Sequence, residues 1–504
     1  MTSESRRDAI EEVLQRLRER KRAWQQEEKC LRRDHKFRQS MGLEEQSAAH
    51  LIGKVCNQLK NKPSSVGTTS AVNGCFYFPD MPFSQARPLL QDSALWDAIS
   101  TMPKGCLLHA HAEAMIEPEW LVEKALSIPG YSVASPQPLD PFGQGTNAAI
   151  PIGRVAASHP SGPEGFIRWA KAHMSITPEE TLSARDGIDV VWRKSASCFT
   201  IAAGLFYTEP IFRRYIRELL HRLHTGGIRY VELRMALLQP FQRQNHSKCD
   251  SDFFYLFDCL QQELDAYMSS SQGAGFWGAR TIWSAVRSLP DDAIRRNLAD
   301  CIACKKRYAG FLCGVDLIGQ EDCGWPLSAL IPVCLRFRRR CVEEGIELPF
   351  IFHAGECRGD GNETDWNLAD ATLLGSRRIG HGFSLYKHPV LIEKVKEHSI
   401  LVETCPISQE VLRLTSSAAA HPLPALLSRG VATALGNDDP GMLGHGGSGL
   451  EHDFMQVLLA CDSVGLEGIA EMAENSDEWL KRLEWRRDFR AWCGRIVDRS
   501  LKSV

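Results

Sequence analysis

The chain has 504 residues, of which 43% are hydrophobic and 24% charged, and its formal net charge is -3. This balance is typical of a globular protein and gives no electrostatic case for binding nucleic acid or an anionic membrane. No apolar run approaches the ~20 residues of a membrane span. The first twenty residues are charged and lack the apolar segment of a secretory signal. We therefore expect a cytoplasmic protein with no nucleic-acid or membrane partner, whose 17 scattered cysteines are reduced.

The N-terminal part of the chain has the pattern of charged, amphipathic helices. Residues 6 to 60 predict two of them, each with apolar residues recurring on one side. The two stripes are Ile10, Val13, Leu14, Leu17, Trp24 and Leu31, and then Ile52, Val55, Cys56 and Leu59. Such a stripe packs either on the chain's own main domain or on a partner subunit, and the sequence leaves both alternatives open. The second alternative predicts a homodimer formed through these helices.

Residues 61 to 83 are rich in proline, glycine, serine and asparagine, which predicts a linker. After it, short apolar runs alternate with helical stretches. The eight runs that predict strands are Cys106–His109, Ile228–Arg234, Ala279–Val286, Leu312–Leu317, Pro349–His353, Arg378–His381, Ile400–Thr404 and Val431–Gly436. Between the later strands, helices are predicted at Asn362–Leu374, Pro389–His398 and Leu423–Arg429, two of them ending before a glycine.

Eight β-then-α units predict an α/β fold, a TIM-type (β/α)8 barrel, over residues 84–504. An N-terminal helical extension and linker over residues 1–83 precede it. The wide spacing between the first two strands predicts a large insertion after the first strand, at about residues 115–225. The middle of this insertion, residues 136 to 165, is rich in small residues and proline and predicts an exposed loop.

Chemistry in such a barrel lies at the C-terminal ends of the strands. The residues with metal-binding side chains that close or follow the first, fifth, sixth and eighth strands are His109, His111, His353, His381, Asp438 and Asp439. The spacing of two between His109 and His111 puts both imidazoles on one face of the strand. Three histidines and one aspartate at one rim supply the neutral nitrogens and the hard oxygen that suit Zn²⁺.

A catalytic metal leaves one position open for water and needs a separate acid or base. Glu356 is the candidate, because Ile351-Phe-His-Ala-Gly-Glu356 presents it three residues after His353 and just past a glycine. His381 and Asp439 are then available to orient the activated water. Gly319 follows the fourth strand, where a glycine permits close approach of the backbone to a ligand, although a plain turn explains it equally well.

Six motifs within residues 100 to 460 resemble, in order and spacing, those of adenosine deaminases, which are barrel enzymes of the metal-dependent hydrolase superfamily. They are Met102-Pro-Lys-Gly-Cys-Leu-Leu-His109-Ala-His111, Gly314-Val-Asp-Leu-Ile-Gly319, His353-Ala-Gly-Glu356, Arg378-Ile-Gly-His381-Gly, Cys405-Pro-Ile-Ser408 and Asn437-Asp-Asp-Pro440. The Cys405 motif, Ser384-Leu-Tyr-Lys-His-Pro389 and the long helical extension resemble most the branch of adenosine deaminase-related growth factors.

This resemblance implies one zinc ion per chain and a hydrolytic deamination at C6 of a purine nucleoside. The zinc ligands that it implies are His109, His111, His353 and Asp438. Glu356 would move the proton to purine N1, and His381 would orient the water that the metal activates. The expected reaction converts adenosine or 2'-deoxyadenosine to the inosine product and ammonia.

The resemblance also implies three contacts to the substrate. Asp439 would form a hydrogen bond with the purine at N7, and the backbone N–H of Gly319 would reach N3. Glu113 stands where single-domain adenosine deaminases carry an aspartate that contacts the ribose. Glutamate in place of aspartate departs from that pattern.

Other features also depart from the growth-factor branch. Members of that branch are typically secreted and carry a disulfide in the inserted domain, whereas the insertion here has a single cysteine, Cys198. Asn437 and Gln409 stand where relatives often have serine and asparagine. Two alternatives to adenosine deamination remain open. One is a deaminase of another 6-aminopurine, such as adenine, AMP or an N6-substituted purine, and the other is a growth-factor-like binding protein with a residual site.

Overall fold

The computed structural model describes residues 3–61, 77–133, 150–182, 187–244, 246, 248–359, 361–479 and 484–501. Its centre is a set of eight parallel strands: β1 Gly105–His111, β2 Ile228–Met235, β3 Gly278–Val286, β4 Leu312–Ile318, β5 Ile351–Ala354, β6 Arg378–His381, β7 Leu401–Thr404 and β8 Thr433–Leu435. All eight predicted strands are confirmed, and their ends differ from the predicted ones by no more than two residues.

The strands pair in chain order to form a TIM-type barrel. β1 to β4 make one parallel sheet and β5 to β8 another. Two single bridges join the sheets, Val315 with Phe350 between β4 and β5, and Ala110 with Asp438 between β1 and the end of β8. Every residue of β1 and of β5 to β8 is buried, as expected for parallel strands that are covered by helices.

Helices follow the strands and surround the barrel. The α-helices of the described residues are Ser3–Leu31, His35–Ser40, Leu43–Asn61, Phe83–Gln91, Ala94–Ser100, Pro118–Leu126, Ile152–Ser158, Gly162–Met174, Pro178–Leu182, Ile188–Phe206, Glu209–Thr225, Phe254–Ser269, Asp291–Arg307, Leu327–Glu343, Asn367–Leu373, Pro389–Glu397, Pro406–Val411, Leu423–Ser428, Glu451–Ala460, Gly465–Trp479 and Glu484–Leu501. Short 3₁₀ turns lie at Ala112–Ala114, Phe383–Lys387 and Ala418–Ala420. Within the described ranges, no helix combines the length and apolar character that crossing a membrane requires.

One predicted helix begins later than expected. The helix predicted at Asn362–Leu374 runs only from Asn367 to Leu373. The Oδ1 atom of Asn362 accepts hydrogen bonds from the Thr364 hydroxyl at 2.7 Å and from the Asp365 amide at 3.0 Å. This local turn satisfies the backbone without a helix, which is the way in which asparagine favours turns.

The segment between β1 and β2 is largely helical. The predicted exposed loop is wrong for residues 150–165, since these form part of a short antiparallel strand pair and of the helices Ile152–Ser158 and Gly162–Met174. Phe166 and Ala170 on the second of these helices are fully buried and anchor it to the core. Residues 134–149, the other part of the predicted loop, lie outside the described residues.

The N-terminal region contains three helices where the sequence predicted two. The break comes at Asp34, a buried carboxylate that accepts hydrogen bonds from Arg32 and Arg38, each at 2.8 Å. The third helix, Leu43–Asn61, buries Ile52 and Cys56 and packs beside the C-terminal helix Glu484–Leu501. Its stripe therefore docks on the chain's own main domain.

The stripe of the first helix, Ser3–Leu31, has no such cover. Its residues are 39% to 63% exposed, and they are Ile10, Val13, Leu14, Leu17, Trp24 and Leu31. In the structure, this stripe therefore does not dock on the chain's own main domain.

Candidate metal centre and active site

Four side chains with metal-ligating atoms converge at the C-terminal ends of β1, β5 and β8. One ligand atom from each lies within 4.8 Å of the others, and the four residues are His109, His111, His353 and Asp438. The backbone places Asp438 there, because its carbonyl accepts a hydrogen bond from the His111 amide at 3.0 Å. The contact that closes the barrel thus also brings the carboxylate to the two histidines of β1.

The spacing of these atoms fits a tetrahedral metal. The Nε2 atoms of His109 and His111 lie 3.3 and 3.2 Å from Oδ1 of Asp438. Two ligands on one tetrahedral Zn²⁺ lie about 3.3 Å apart, given ligand distances of about 2.0–2.1 Å. Nε2 of His109 and Oδ1 of Asp438 are buried and have no hydrogen-bond partner in the described part of the chain. Buried polar atoms without partners are costly unless they bind an ion or water, so the donor set fits a metal ion.

Two of the histidines are held by carboxylates on the strands. Nδ1 of His109 lies 2.9 Å from Glu403, and Nδ1 of His353 lies 2.7 Å from Asp316. Arg234 donates hydrogen bonds to both carboxylates, at 2.7 Å to Glu403 and 2.8 Å to Asp316. This arrangement fixes the imidazole tautomer that leaves Nε2 free for a metal. Burial lowers the pKa of His353 to about 3, so its imidazole is neutral at physiological pH.

Asp438 is also held in place from a second side. Its Oδ2 accepts a hydrogen bond of 2.6 Å from the Ser408 hydroxyl, which leaves Oδ1 facing the histidines. Its backbone has a φ of 57°, in the left-handed region that aspartate tolerates better than most residues. Burial opposes ionisation, but His381, His109 and His111 hold the pKa of Asp438 well below its usual range.

A glycine in the motif Arg378-Ile-Gly-His381 makes room for the first ligand. A Cβ atom at Gly380 would lie 2.8 Å from Cε1 of His109, a distance that real contacts do not reach. Any side chain at this position would therefore displace the imidazole. The position therefore requires glycine, because a larger residue would clash with a candidate metal ligand.

Glu356 lies beside the cluster, where β5 ends. Its Oε1 is 3.4 Å from Nε2 of His381, and both atoms lack hydrogen-bond partners among the described residues. Burial and the nearby charges of Asp438 and Glu321 raise the pKa of Glu356 well above its usual value, which favours the protonated carboxyl group. Burial also lowers the pKa of His381 well below its usual value, which makes its imidazole neutral.

Two further acidic residues of the site are Asp439 and Glu113. Burial and the charge of Asp438 raise the pKa of Asp439. Burial likewise raises the pKa of Glu113, whose Oε1 accepts hydrogen bonds from the Tyr207 hydroxyl and, at 3.2 Å, from the Ala236 amide. The inserted segment therefore takes part in the site, since Tyr207 follows the inserted helix Ile188–Phe206.

One cavity of about 430 Å³ is lined by six residues of the site: His111, Glu113, His353, Glu356, Asp438 and Asp439. Gly319, with a φ of +101°, lies on its wall together with His111, Glu356 and Asp439. The inserted helix Ile188–Phe206 forms another wall, to which it contributes Trp192, Arg193, Ser195, Ala196, Phe199, Thr200 and Ala203. The volume lies within the range of small-molecule sites, and apolar and aromatic walls with few polar groups are usual for them.

Sequence reasoning did not single out several of the residues that shape the site. They are Asp316, Glu403, Arg234, Ser408 and Tyr207. Asp316 and Ser408 lie inside motifs already noted, and Arg234 and Glu403 are charged residues within apolar strands. A charge in a buried strand is the signal that was available, because such a charge needs a partner. Tyr207 offered no such signal.

Comparison with known families gives a consistent result. A sequence profile described as adenosine deaminase matches residues 173–479, more than half of the chain. The chain is 30% identical to adenosine deaminase 2 of Sus scrofa over 79% of this chain and 78% of that protein. It is 28% identical to adenosine deaminase 2-A of Danio rerio over 79% of each chain.

Solved structures show the same fold at lower identity. One is an amidohydrolase from Burkholderia ambifaria with bound Zn, with a TM-score of 0.54 and 14% identity over 86% of this chain and all of that chain. Another is the N6-mAMP deaminase of Arabidopsis, with a TM-score of 0.54 and 17% identity over 78% and 99% of the two chains. These likenesses place the barrel in the amidohydrolase fold.

Proposed function

The chain belongs to the adenosine deaminase family, and we propose that it catalyses the zinc-dependent hydrolytic deamination of adenosine or 2'-deoxyadenosine to the inosine product and ammonia. One observation carries the proposal. Three residues of the metal-ligating cluster, His111, His353 and Asp438, line the same cavity as Glu356, whose buried carboxyl group has a pKa raised well above its usual value. A metal-activated water and an adjacent acid are what hydrolysis of an aminopurine needs.

Zinc, one ion per chain, would be held by His109, His111, His353 and Asp438, whose donor types suit this metal. When bound, zinc supplies a nucleophile at neutral pH by lowering the pKa of a water toward about 7. The chain's contribution is to keep these donors deprotonated and oriented, through the hydrogen bonds of Glu403, Asp316 and Ser408.

The acid–base work falls to two residues beside the cluster. Glu356 donates its proton to purine N1, which makes C6 electrophilic and open to attack by water. His381 is neutral and its Nε2 lacks a partner among the described residues, so it accepts a hydrogen bond from the attacking water and orients it. The C6–N bond then breaks. One proton of the water goes to the amino group, which leaves as ammonia, and the proton that remains on the C6 oxygen returns to Glu356 as the C6=O bond of the inosine product forms.

Three further residues bind the substrate in this proposal. The carboxyl group of Asp439, whose pKa is raised, donates a hydrogen bond to purine N7, and the Gly319 amide donates to N3. Glu113 faces the ribose, and the bonds from Tyr207 and Ala236 hold its carboxyl group in place. Preformed partners of this kind hold the base while charge moves during the reaction.

The test is a deamination panel of adenosine, 2'-deoxyadenosine, adenine, AMP and an N6-substituted adenosine, followed by ultraviolet absorbance with and without a chelator. We expect the two nucleosides to be converted fastest, activity to be lost with the chelator and restored by zinc, and one zinc per chain by elemental analysis. Preference for adenine, AMP or the N6-substituted compound would favour the other deaminases. No turnover by zinc-loaded protein would favour a growth-factor-like binding protein.

We also propose that the first helix, Ser3–Leu31, forms a homodimer. Its exposed residues Ile10, Leu17, Trp24 and Leu31 recur every seven positions, which is the spacing of a coiled-coil seam. The stripe of Leu43–Asn61 is buried against the chain's own main domain and is not available to a partner. We therefore assign the dimer contact to the first helix alone. The division into an extension of residues 1–83 and a barrel of residues 84–504 remains part of this proposal. The cytoplasmic location and the absence of nucleic-acid and membrane partners remain predictions of the sequence.

Sedimentation of full-length protein and of Leu17→Glu tests the dimer. We expect twice the monomer mass for the full chain and the monomer mass for the variant, with deamination unchanged. Val55→Ala on the third helix is the control, and it should keep the mass of the parent. A monomeric full-length chain would contradict this part of the proposal.

A further inference from the structure

A second buried carboxylate lies directly behind the segment that carries Glu356. Glu321 is fully buried, and its Oε1 accepts the amide N–H of Glu356 at 2.8 Å. Its Oε2 accepts the amide N–H of Gly355 at 3.2 Å and the side-chain amide of Asn367 at 2.6 Å. Both oxygens are thus used, and both bind the backbone on which Glu356 stands.

The same segment is held from its other side by a buried arginine. Arg287 donates from Nη2 to the carbonyl of His353 at 2.8 Å and to the carbonyl of Leu317 at 2.7 Å. Its Nη1 lies 3.6 Å from Oε2 of Glu321, so the two charges are close within the interior. Arg287 thus donates to the carbonyl before Ala354, and Glu321 accepts from the two amides after it. Together these bonds hold the backbone between the metal cluster and Glu356.

This segment needs such a support because of its glycine. Gly355 has a φ of +80°, and glycine adopts many other backbone conformations as readily. Rotation of the peptide between Gly355 and Glu356 would turn the Glu356 carboxyl group away from His381. Hydrogen bonds to a charged acceptor are stronger than those to a neutral one, so Glu321 restricts this rotation.

We infer that Glu321 is a positioning residue, which sets the aim of the Glu356 carboxyl group by binding the two amides of its backbone. This inference rests on the proposed function, since it assigns Glu321 a part in the proton transfer to the purine. Glu321 lines no part of the cavity and touches no proposed metal ligand's side chain. Its effect must therefore appear in turnover rather than in substrate or zinc binding.

The experiment compares Glu321→Gln with the matched variant Asp322→Asn. Glutamine keeps the size of the side chain but has one acceptor oxygen, so one amide loses its partner. Asp322 also accepts a backbone amide of this segment, that of Arg358 at 3.2 Å, two residues beyond Glu356. For Glu321→Gln we expect kcat for adenosine to fall about 10- to 100-fold, with KM and zinc content as in the parent. Asp322→Asn should keep the parent kcat.

Each outcome decides the matter. A parent-like kcat in Glu321→Gln overturns the inference, and so does a fall in kcat that follows a loss of zinc, which would make Glu321 a structural residue. An equal fall in kcat in Asp322→Asn overturns it as well. If Glu321→Gln does not fold, Asn367→Ala, which removes one donor to Glu321, must lower kcat with zinc retained, and an unchanged kcat overturns the inference. Failure of the parent enzyme on the whole purine panel would instead be a failure of the proposed function.

Discussion

This barrel contains two sets of buried carboxyl groups, and their pKa values are shifted in opposite directions. The strand carboxylates, Asp316 in β4 and Glu403 in β7, have pKa values well below their usual range. The loop carboxylates, Glu356, Asp439 and Glu113, have raised pKa values. All five are at most 5% exposed, so burial alone does not set the difference.

The difference comes from nearby arginines and hydrogen-bond donors. The hydrogen bond from His353 and the charge of Arg234 hold Asp316 ionised against burial, and the charges of Arg234 and Arg378 do the same for Glu403. None of the loop carboxylates forms an arginine ion pair in the described part of the chain. The strand carboxylates therefore act as fixed charges that orient histidines, whereas the raised pKa values of the loop carboxyl groups favour their protonated forms. In the proposed mechanism, the first set supports the metal and the second set contains the proton donor.

The largest expected effect comes from removing the proton of a loop carboxylate. Glu356→Gln keeps the size of the side chain and the backbone hydrogen bonds to Glu321 but cannot transfer a proton to N1. We expect kcat for adenosine to fall by about 10³-fold or more, with one zinc per chain retained by elemental analysis. Near-parent turnover in a zinc-loaded variant would show that Glu356 is not the acid.

A smaller effect is expected from a strand carboxylate, and it should appear in the metal rather than in the proton. Asp316→Asn removes the charge that accepts the Nδ1 hydrogen bond of His353. We expect zinc to bind about 10- to 100-fold more weakly, as measured by competition with a chromophoric chelator. With saturating zinc, kcat should recover most of its parent value. An unchanged zinc affinity would contradict the division of labour between the two sets.

The pH dependence of turnover gives a further test. The pKa of Glu356 is raised, so the carboxyl group is competent at pH values below that pKa and loses its proton as the pH rises through it. We expect kcat to decline on the alkaline side, approaching about tenfold per pH unit, in a profile recorded from pH 6 to 10. An ionised Glu356 would instead give a kcat without a plateau, which already declines from pH 6 onward. That result would place Glu356 with the strand carboxylates.

The sequence predicted the barrel well because each strand is a short, mainly apolar run, and several of the runs end in a polar motif. The same local pattern placed His353 and Glu356 at the end of one strand. The strand carboxylates escaped prediction because their partners are far apart in the chain, as with Arg234 and Glu403, which are 169 residues apart. Pairing of that kind depends on the register of the closed barrel, which a single sequence does not state.

The two N-terminal stripes show a second limit of prediction. Both have the apolar spacing of a helix that packs on something, and the sequence does not tell them apart. In the structure, Ile52 of the third helix is 2% exposed and Leu17 of the first is 57% exposed. The difference comes from the C-terminal helix Glu484–Leu501, which covers the third helix. A partner that lies more than 400 residues away leaves no trace in the local pattern.

The smallest effect tests the same rule outside the catalytic residues. Glu410 is 5% exposed and its Oε1 accepts the Phe83 amide at 2.5 Å, but no arginine or lysine pairs with it among the described residues. Burial raises its pKa to about 7, above the value of about 4.3 in an unfolded chain. The folded state therefore keeps this proton while the unfolded state loses it, and the free energy of unfolding falls as the pH rises between these values.

Glu410→Gln removes this dependence. The free energy of unfolding of the variant, relative to that of the parent, should rise by on the order of 2 kcal/mol from pH 5 to pH 8. It is measured by urea unfolding of the zinc-loaded proteins. An equal difference at both pH values would mean that a buried carboxyl group without a cation is ionised here, and that burial and pairing do not divide these groups as proposed.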